Sequence, residues 1–378
     1  MSAAGIIFSN VHDTNLPELT RNRTMASVPF GCRYRLIDFA LSNMVNSNIS
    51  NVSVITQHNY QSLMDHIGSG KDWDLARRSG GIKILPPFIT AYANNANSLS
   101  ITSRLEALKS VNNHISKISD DYVVLSDCDV ICNVDLNDMI KNHIQNDADI
   151  TIAIKRVKLT KEKAKTNVII DSDESGRITD VRDGLTNFEG EADVNLNILV
   201  MSRQYLQEIV LDAIAHNFVS LTRDVLMKNV KRKVYRTYRY DGYFACISSS
   251  QDYYASSMEL INDSDVRAQL FGVRSRPIYT KVRNSAPTYY SPDAKVKNSM
   301  IADGCQIYGE VENSIIFRGT KIGKGTKVKN SILFQDTFTG ENVTLNCVIA
   351  DKNVVIRDNK NLSGDETLPF YLSKGKMI

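Results

Sequence analysis

"VKNSMIADG" at 296–304, "VENSIIFRG" at 311–319 and "VKNSILFQD" at 328–336 are three versions of one phrase, spaced 15–17 residues apart. A degenerate fourth copy, "TLNCVIADK", follows at 344–352. Each copy has a β-branched residue, a polar pair and an apolar pair, and turns such as Ile322-Gly323-Lys324-Gly325 separate them. Short strands and tight turns at a fixed period predict a parallel β-helix, whose stacked coils bury Val, Ile and Leu. A plain antiparallel β domain is the alternative. The Asn-Ser pair repeated at 298–299, 313–314 and 330–331 argues against it.

Upstream the texture differs. "AGIIFS", "NVSVIT", "IKILPPF" and "DYVVLS" read as strands, the third closed by Pro86-Pro87. Between them "RLIDFALSNMVNSN", "YQSLMDHI" and "SRLEALKSVNNHI" carry apolar residues at helical spacing. Strand–helix alternation with little polar interruption in the strands predicts a mostly parallel sheet buried on both faces. Further strands are predicted at "DITIAI" and "NVIIDS", and helices at "SRQYLQEIVLDAIAHN" and "DYYASSMELIND". The proline-marked run "RPIYTKVRNSAPTYYSPD" suits a linker. The expected organisation is an α/β domain over 1–272, a linker over 273–288 and a β-helix over 289–378.

The chain has 378 residues, 42% hydrophobic and 23% charged, with net charge +3, as a globular protein of two domains would. No basic run implies nucleic acid, and no apolar stretch is long enough to cross a bilayer. The N-terminus lacks the order of a signal peptide, so a cytoplasmic location is expected. Six cysteines (Cys32, Cys128, Cys132, Cys246, Cys305, Cys347) show no paired metal-binding spacing and read as reduced thiols.

Ligands of a doubly wound sheet bind beyond the carboxyl ends of the strands. The first such end reads Ser9-Asn10-Val11-His12-Asp13-Thr14-Asn15, without a glycine to let a phosphate approach the backbone. The second reads Asp127-Cys128-Asp129, which suits either a divalent cation or an ordinary turn. The third, "YDGYFACISSSQDYY", holds serines that serve either as phosphate donors or as a helix N-cap.

The runs "VPFGCRYRLIDFALSNMVNSNI" (28–49), "GSGKDWDLARRSGGIKILPP" (68–87) and "SIIFRGTKIGKGTKVKNSIL" (314–333) resemble the ADP-glucose pyrophosphorylases (glucose-1-phosphate adenylyltransferases) over nearly the whole chain. The resemblance implies a nucleotidyltransferase-like Rossmann-type domain followed by a left-handed β-helix. It also implies tetramers under allosteric control that make ADP-glucose and pyrophosphate from ATP and glucose 1-phosphate. Laid on this sequence, the family's catalytic pattern is largely lost. Asn10, Val11 and Asp13 stand where the family's loop has glycines, and Asn15 where it has arginine; only Thr14 and Leu16 remain. The catalytic lysine falls on Met25, the sugar-phosphate lysine on Asp183 and one metal aspartate on Cys246. Asp129 is the remnant of the other metal aspartate, with Asp135 six places on. The family's nucleotide loop has no clear counterpart in "NSLSITSRLEAL", 97–108.

Phosphoryl transfer needs positioned cations. Met25 and Asn15 remove two, Asp13 and Asp183 add repulsive charge, and Cys246 is a soft ligand poorly suited to Mg²⁺. No metal is therefore expected in this subunit; Mg²⁺ belongs to a catalytic partner. Of the family's effector set, Arg23 and Arg35 stand at matching places, Arg21 lies beside a lysine position that is now Asn22, and Arg318 lies one residue from the β-helix arginine position; guanidinium groups suit phosphates. The combination resembles the D-type (GlgD) regulatory branch. That branch implies a catalytically silent or weak subunit of a heterotetramer, working with a catalytic subunit and a sugar-phosphate or nucleotide effector in glycogen biosynthesis. Two alternatives stay open: a self-sufficient nucleotidyltransferase with an altered site, using His12, Arg21 or Lys71 as new cations, and a homo-oligomeric sugar-phosphate sensor or scaffold.

Overall fold

The computed structural model describes residues 2–86 and 103–378. Pro87 and the 97–102 part of the segment without a recognisable nucleotide loop lie outside them. The centre of the first half is the strand Ala3–Phe8, which pairs in parallel with Asn51–Ile55 on one side and Tyr122–Asp127 on the other. Gly81–Leu85 extends the parallel set beyond Asn51–Ile55. Successive residues of a strand point to opposite faces. Ile6 and Phe8 join a core with Leu105, Leu108 and Leu206, while Ile7 joins the opposite core with Ile37, Leu41 and Met44. Both faces are covered, so the central strand needs apolar residues throughout. Gly5 is required by closeness: a Cβ there would lie 2.8 Å from the Met44 sulfur on helix Leu36–Asn46.

A second wing joins antiparallel. Gly190–Ser202 pairs antiparallel with Tyr122–Asp127, Ile150–Leu159 and Ile169–Ser172. Its polar first half, "GEADVNLN", hides it from pattern reading. Its register against Ile150–Leu159 shifts between Asn195 and Leu199, where Asn197 has φ +58° and the Asn195 Oδ1 accepts the Asn197 N–H at 2.8 Å. Such a bulge re-aims side chains beside a site.

Helix Ser264–Phe271 precedes a stretch without regular elements, and the next strand is Tyr289–Tyr290. From there the chain winds into a left-handed parallel β-helix of three five-stranded sheets. Val296, Val311, Val328, Leu345 and Leu362 stack in register. The Asn-Ser repeat has a structural cause. Asn298, Asn313 and Asn330 occupy the left-handed region at successive corners (φ +41°, +48°, +46°), which asparagine tolerates better than most residues. Their side chains form a ladder, Asn298 to Asn313 at 3.0 Å and Asn313 to Asn330 at 2.7 Å, continuing to Asn346 at 3.1 Å.

The two halves share a core. Phe30, Phe39 and Tyr253 from the first pack with Phe317 and Phe334 from the second. All six cysteines are free thiols, and five of them are buried.

Candidate functional site

The loop after Ala3–Phe8 is folded on itself. The Asn10 Oδ1 accepts from the Gln57 N–H and the Thr56 hydroxyl, both at 2.9 Å. The Asn10 Nδ2 donates to Asp13 at 2.6 Å, and the other Asp13 oxygen accepts the Met25 N–H at 2.7 Å. A carboxylate of the chain thus holds the loop closed from inside. Burial pushes the Asp13 carboxyl up to about 6, against the pull of those hydrogen bonds. Met25 is buried beneath the loop, at 1% exposure, and offers nothing to a ligand.

Beyond the strand ends, five side chains meet. The Arg104 Nε donates to both oxygens of Asp127, at 3.0 and 2.8 Å, and its Nη2 closes a second contact with the same carboxylate. The His12 Nε2 lies 2.7 Å from Asp127 and 3.5 Å from Asp129. On the far side of Asp129 the Cys246 thiol donates at 3.6 Å. Burial alone would raise the Asp127 carboxyl. The Arg104 guanidinium and the His12 hydrogen bond outweigh burial and hold it at about 2. Burial lowers the His12 imidazole, but the two carboxylates, Asp129 foremost, more than reverse this and favour its charged form. Burial, reinforced by Asp129, pushes the Cys246 thiol far up, so it stays protonated.

Mg²⁺ seeks hard oxygen ligands in near-octahedral array. Here His12, Asp127 and Asp129 bring one ligand atom each within 4.8 Å of one another, but Asp127 is engaged by a guanidinium and an imidazole, and Cys246 beside Asp129 is a neutral thiol. The donor set does not fit that ion. Asp129 keeps one buried oxygen without a partner.

Of these groups His12, Arg104, Asp129 and Cys246 line a cleft of about 350 Å³. Of the residues singled out from sequence, Val11, Asn15, Asp129, Asp183 and Cys246 line it; Asn10, Asp13 and Met25 do not. Asp183 is paired with Arg223 at 3.3 Å. Ser249 caps helix Ser250–Asn262, accepting the Asp252 N–H, so it is an N-cap rather than a phosphate donor. Asp135 likewise caps helix Leu136–Gln145.

The arginines noted as effector candidates are spread over the join between the halves. Arg23 is buried at 2% exposure and pairs with Asp351 of the β-helix at 2.6 Å, while its Nη1 has no partner. Tyr371 donates to the other Asp351 oxygen at 3.0 Å. Arg35, also buried, donates to Ser62 O and Oγ at 2.5 and 3.0 Å. Arg21 is exposed, and Arg318 pairs with Asp303 at 2.8 Å. Lys352 belongs with Arg23 and Arg35: burial, then repulsion from Arg35 and Arg23, lowers its amine to about 6.

Sequence reading missed Arg104, Asp351 and Lys352. Arg104 opens helix Arg104–Ser110 after the Ser103 cap and looks like an ordinary first-turn residue. Asp351 and Lys352 sit in the degenerate fourth repeat. The only signal there was two charges where the earlier copies carry Phe317-Arg318 and Phe334-Gln335. Lys71, weighed as a replacement cation, lies on the short helix Lys71–Trp73 and does not line the cleft.

Residues 4–183 match the family described as Nucleotidyl transferase, and residues 288–368 match the GlmU-like C-terminal hexapeptide family. The chain is 32% identical over 373 residues to the glycogen biosynthesis protein GlgD of Bacillus subtilis (strain 168), covering 98% of this chain and 95% of that protein. It is 35% identical over 327 residues to the GlgD of Geobacillus stearothermophilus, covering 86% and 82%. It is 33% identical over 338 residues to the glucose-1-phosphate adenylyltransferase of Thermotoga neapolitana, covering 87% and 76%.

Proposed function

The chain belongs to the family of glucose-1-phosphate adenylyltransferases and GlgD proteins, and we propose that it is a regulatory, catalytically silent or weak member, acting in the cytoplasm in glycogen biosynthesis. The observation that carries this is the Arg104–Asp127–His12 network. Where nucleotidyl transfer would need a divalent cation and free positive groups, two cations of the chain are already spent on Asp127. A preorganised electrostatic donor is typically worth about 10²–10³ in rate. Losing the loop glycines, the lysine positions and the second carboxylate together leaves little catalysis.

The activity it serves is that of a catalytic partner subunit in a heterotetramer, which binds Mg²⁺ and joins ATP to glucose 1-phosphate. This subunit acts by contacting the partner's active state more favourably than its inactive one. A phosphorylated effector binds among Arg21, Arg23, Arg35 and Arg318, with Lys352 as a further contact. The unpartnered Arg23 Nη1 and the surplus of cations over Asp351 support that assignment.

The test is ADP-glucose formation by the purified chain alone and mixed with a catalytic subunit, each with and without effector. The expected result is negligible turnover alone and a changed rate, affinity or effector response in the mixture. Robust turnover by the chain alone, or a mixture indistinguishable from the catalytic subunit, overturns the proposal.

A further inference from the structure

The join between the halves holds two buried polar atoms without a partner among the described residues. The Arg23 Nη1 is one, although its Nη2 pairs with Asp351. The Gln335 Oε1 is the other. Buried atoms of this kind are rare and call for a missing partner. The first needs an acceptor and the second a donor. Gln335 and Lys352 occupy the same place in successive coils. Leu333 and Ala350 pair in register two residues before them, and just after them the Asn353 N–H donates to Gln335 O at 3.0 Å. Lys352 therefore stands beside one orphan, while the charge of Arg23, which carries the other, acts on its amine.

Asp351 is the carboxylate that acts on the Lys352 amine, and its oxygens are already engaged. Its Oδ1 accepts from the Arg23 Nη2 at 2.6 Å and from the Lys352 backbone N–H at 2.7 Å. Its Oδ2 accepts from Tyr371 at 3.0 Å. Against that one carboxylate stand Arg35, Arg23 and Lys374. Burial, then Arg35 and Arg23, lowers the amine to about 6, so at neutral pH its lone pair is free. A desolvated lysine beside other cations is a nucleophile. A small anion with a donor hydrogen of its own would satisfy both orphans at once.

We propose that Lys352 is a modification site for carbon dioxide, which it takes up as a carbamate. The Nζ lone pair forms a C–N bond to the carbon of CO₂, one C=O electron pair moves onto oxygen, and a proton leaves the nitrogen for water. The product has one N–H, for the Gln335 Oε1, and a carboxylate, for the Arg23 Nη1. It turns a neutral amine into an anion inside a cationic cluster, so the modified chain attracts a phosphorylated effector less. The proposal rests on the reading of the join as a place for anions, and the phosphorylated effector can fail separately.

The experiment is carbon-13 NMR of the full chain in labelled bicarbonate at mildly alkaline pH. Ethylation with triethyloxonium then fixes the adduct, and peptide mass spectrometry locates it. Sulfate binding to the same chain is followed by calorimetry. A carbamate on Lys352 is expected. It should vanish in Lys352→Met and fall about fivefold in Gln335→Leu, which loses one hydrogen-bond acceptor. Lys352 and Gln335 are both partly exposed, so these replacements spare the core. Sulfate binding without a carbamate on Lys352 overturns the proposal alone, and the absence of both overturns it together with the anion site. A carbamate without sulfate binding supports the proposal and overturns the phosphorylated effector. Label confined to the N-terminal amine, label that survives Lys352→Met, or equal occupancy in Gln335→Leu also overturns the proposal.

Discussion

Two charged regions of this molecule contain the same kinds of side chain and behave oppositely. In the cleft, Arg104 and His12 face Asp127 and Asp129, and Arg223 faces Asp183. At the join with the β-helix, Arg23 pairs with Asp351, which also acts on Lys352, while Arg35 donates to Ser62 and faces Asp38 and Asp65. The first region is balanced from within, each of its cations facing a carboxylate. The second keeps a surplus of positive charge: beyond burial, Arg35 and Arg23 help lower the Lys352 amine, and the Arg23 Nη1 is idle. Counting cations in a sequence therefore says little about anion binding. What matters is how many carboxylates the fold brings to them.

The comparison is broken most severely at its shared carboxylate. Asp351→Ala strands Arg23 without its partner at 2% exposure, and removing one member of a buried pair costs about 3–5 kcal/mol. Urea unfolding is expected to shift by that amount; a shift below about 1 kcal/mol would show that the pair is not the pin between the halves. Asp13 tests the other region. Its folded carboxyl, raised to about 6, favours the fold while protonated, and that contribution is lost as pH rises through 6. Asp13→Asn sets an amide NH2 against one of the two donors, so it should cost stability at pH 4 and cost on the order of 2 kcal/mol less at pH 8. Thermal melts at both values check it, and equal effects at both would refute the assignment.

A smaller effect sharpens the contrast at the join. An anion beside Lys352 favours its charged form, so binding takes up a proton when the starting amine is neutral. Sulfate affinity should rise up to about tenfold as pH falls from 8 to 6. Lys352→Met should flatten that profile, as followed by calorimetry. Smallest of all is the response to Mg²⁺. Melting of the parent chain should be unmoved by about 10 mM Mg²⁺, because Asp127 in the His12–Asp127–Asp129 group is already engaged by Arg104 and His12. A rise of several degrees would show that the Asp127–Asp129 pair still binds the ion.

Much of the fold was legible. The repeat at 296–352 announced the β-helix because each coil repeats one conformation, and a repeated conformation leaves a repeated sequence. The central parallel strands were legible because burial on both faces demands unbroken apolar runs. The strand Gly190–Ser202 escaped, because its first half faces the cleft and carries the polar residues that line it. At the site, the glycine-free loop, Met25 and the Cys246 thiol could be read from residue type alone. Asp13 could be read as a negative charge but not as an internal staple. Its partner Met25 N–H is a backbone group, which any residue supplies.

By itself the sequence determined the architecture and the absence of glycine from the loop after the first strand, because these depend on short-range pattern and residue type. The tertiary structure alone decided which charges cancel. His12 lies 115 residues from Asp127, and Arg23 lies 328 from Asp351. Coulomb interactions fall with distance in space and are blind to separation along the chain. The pairing of charges in the cleft and at the join therefore exists only once the strands and coils have brought those side chains together.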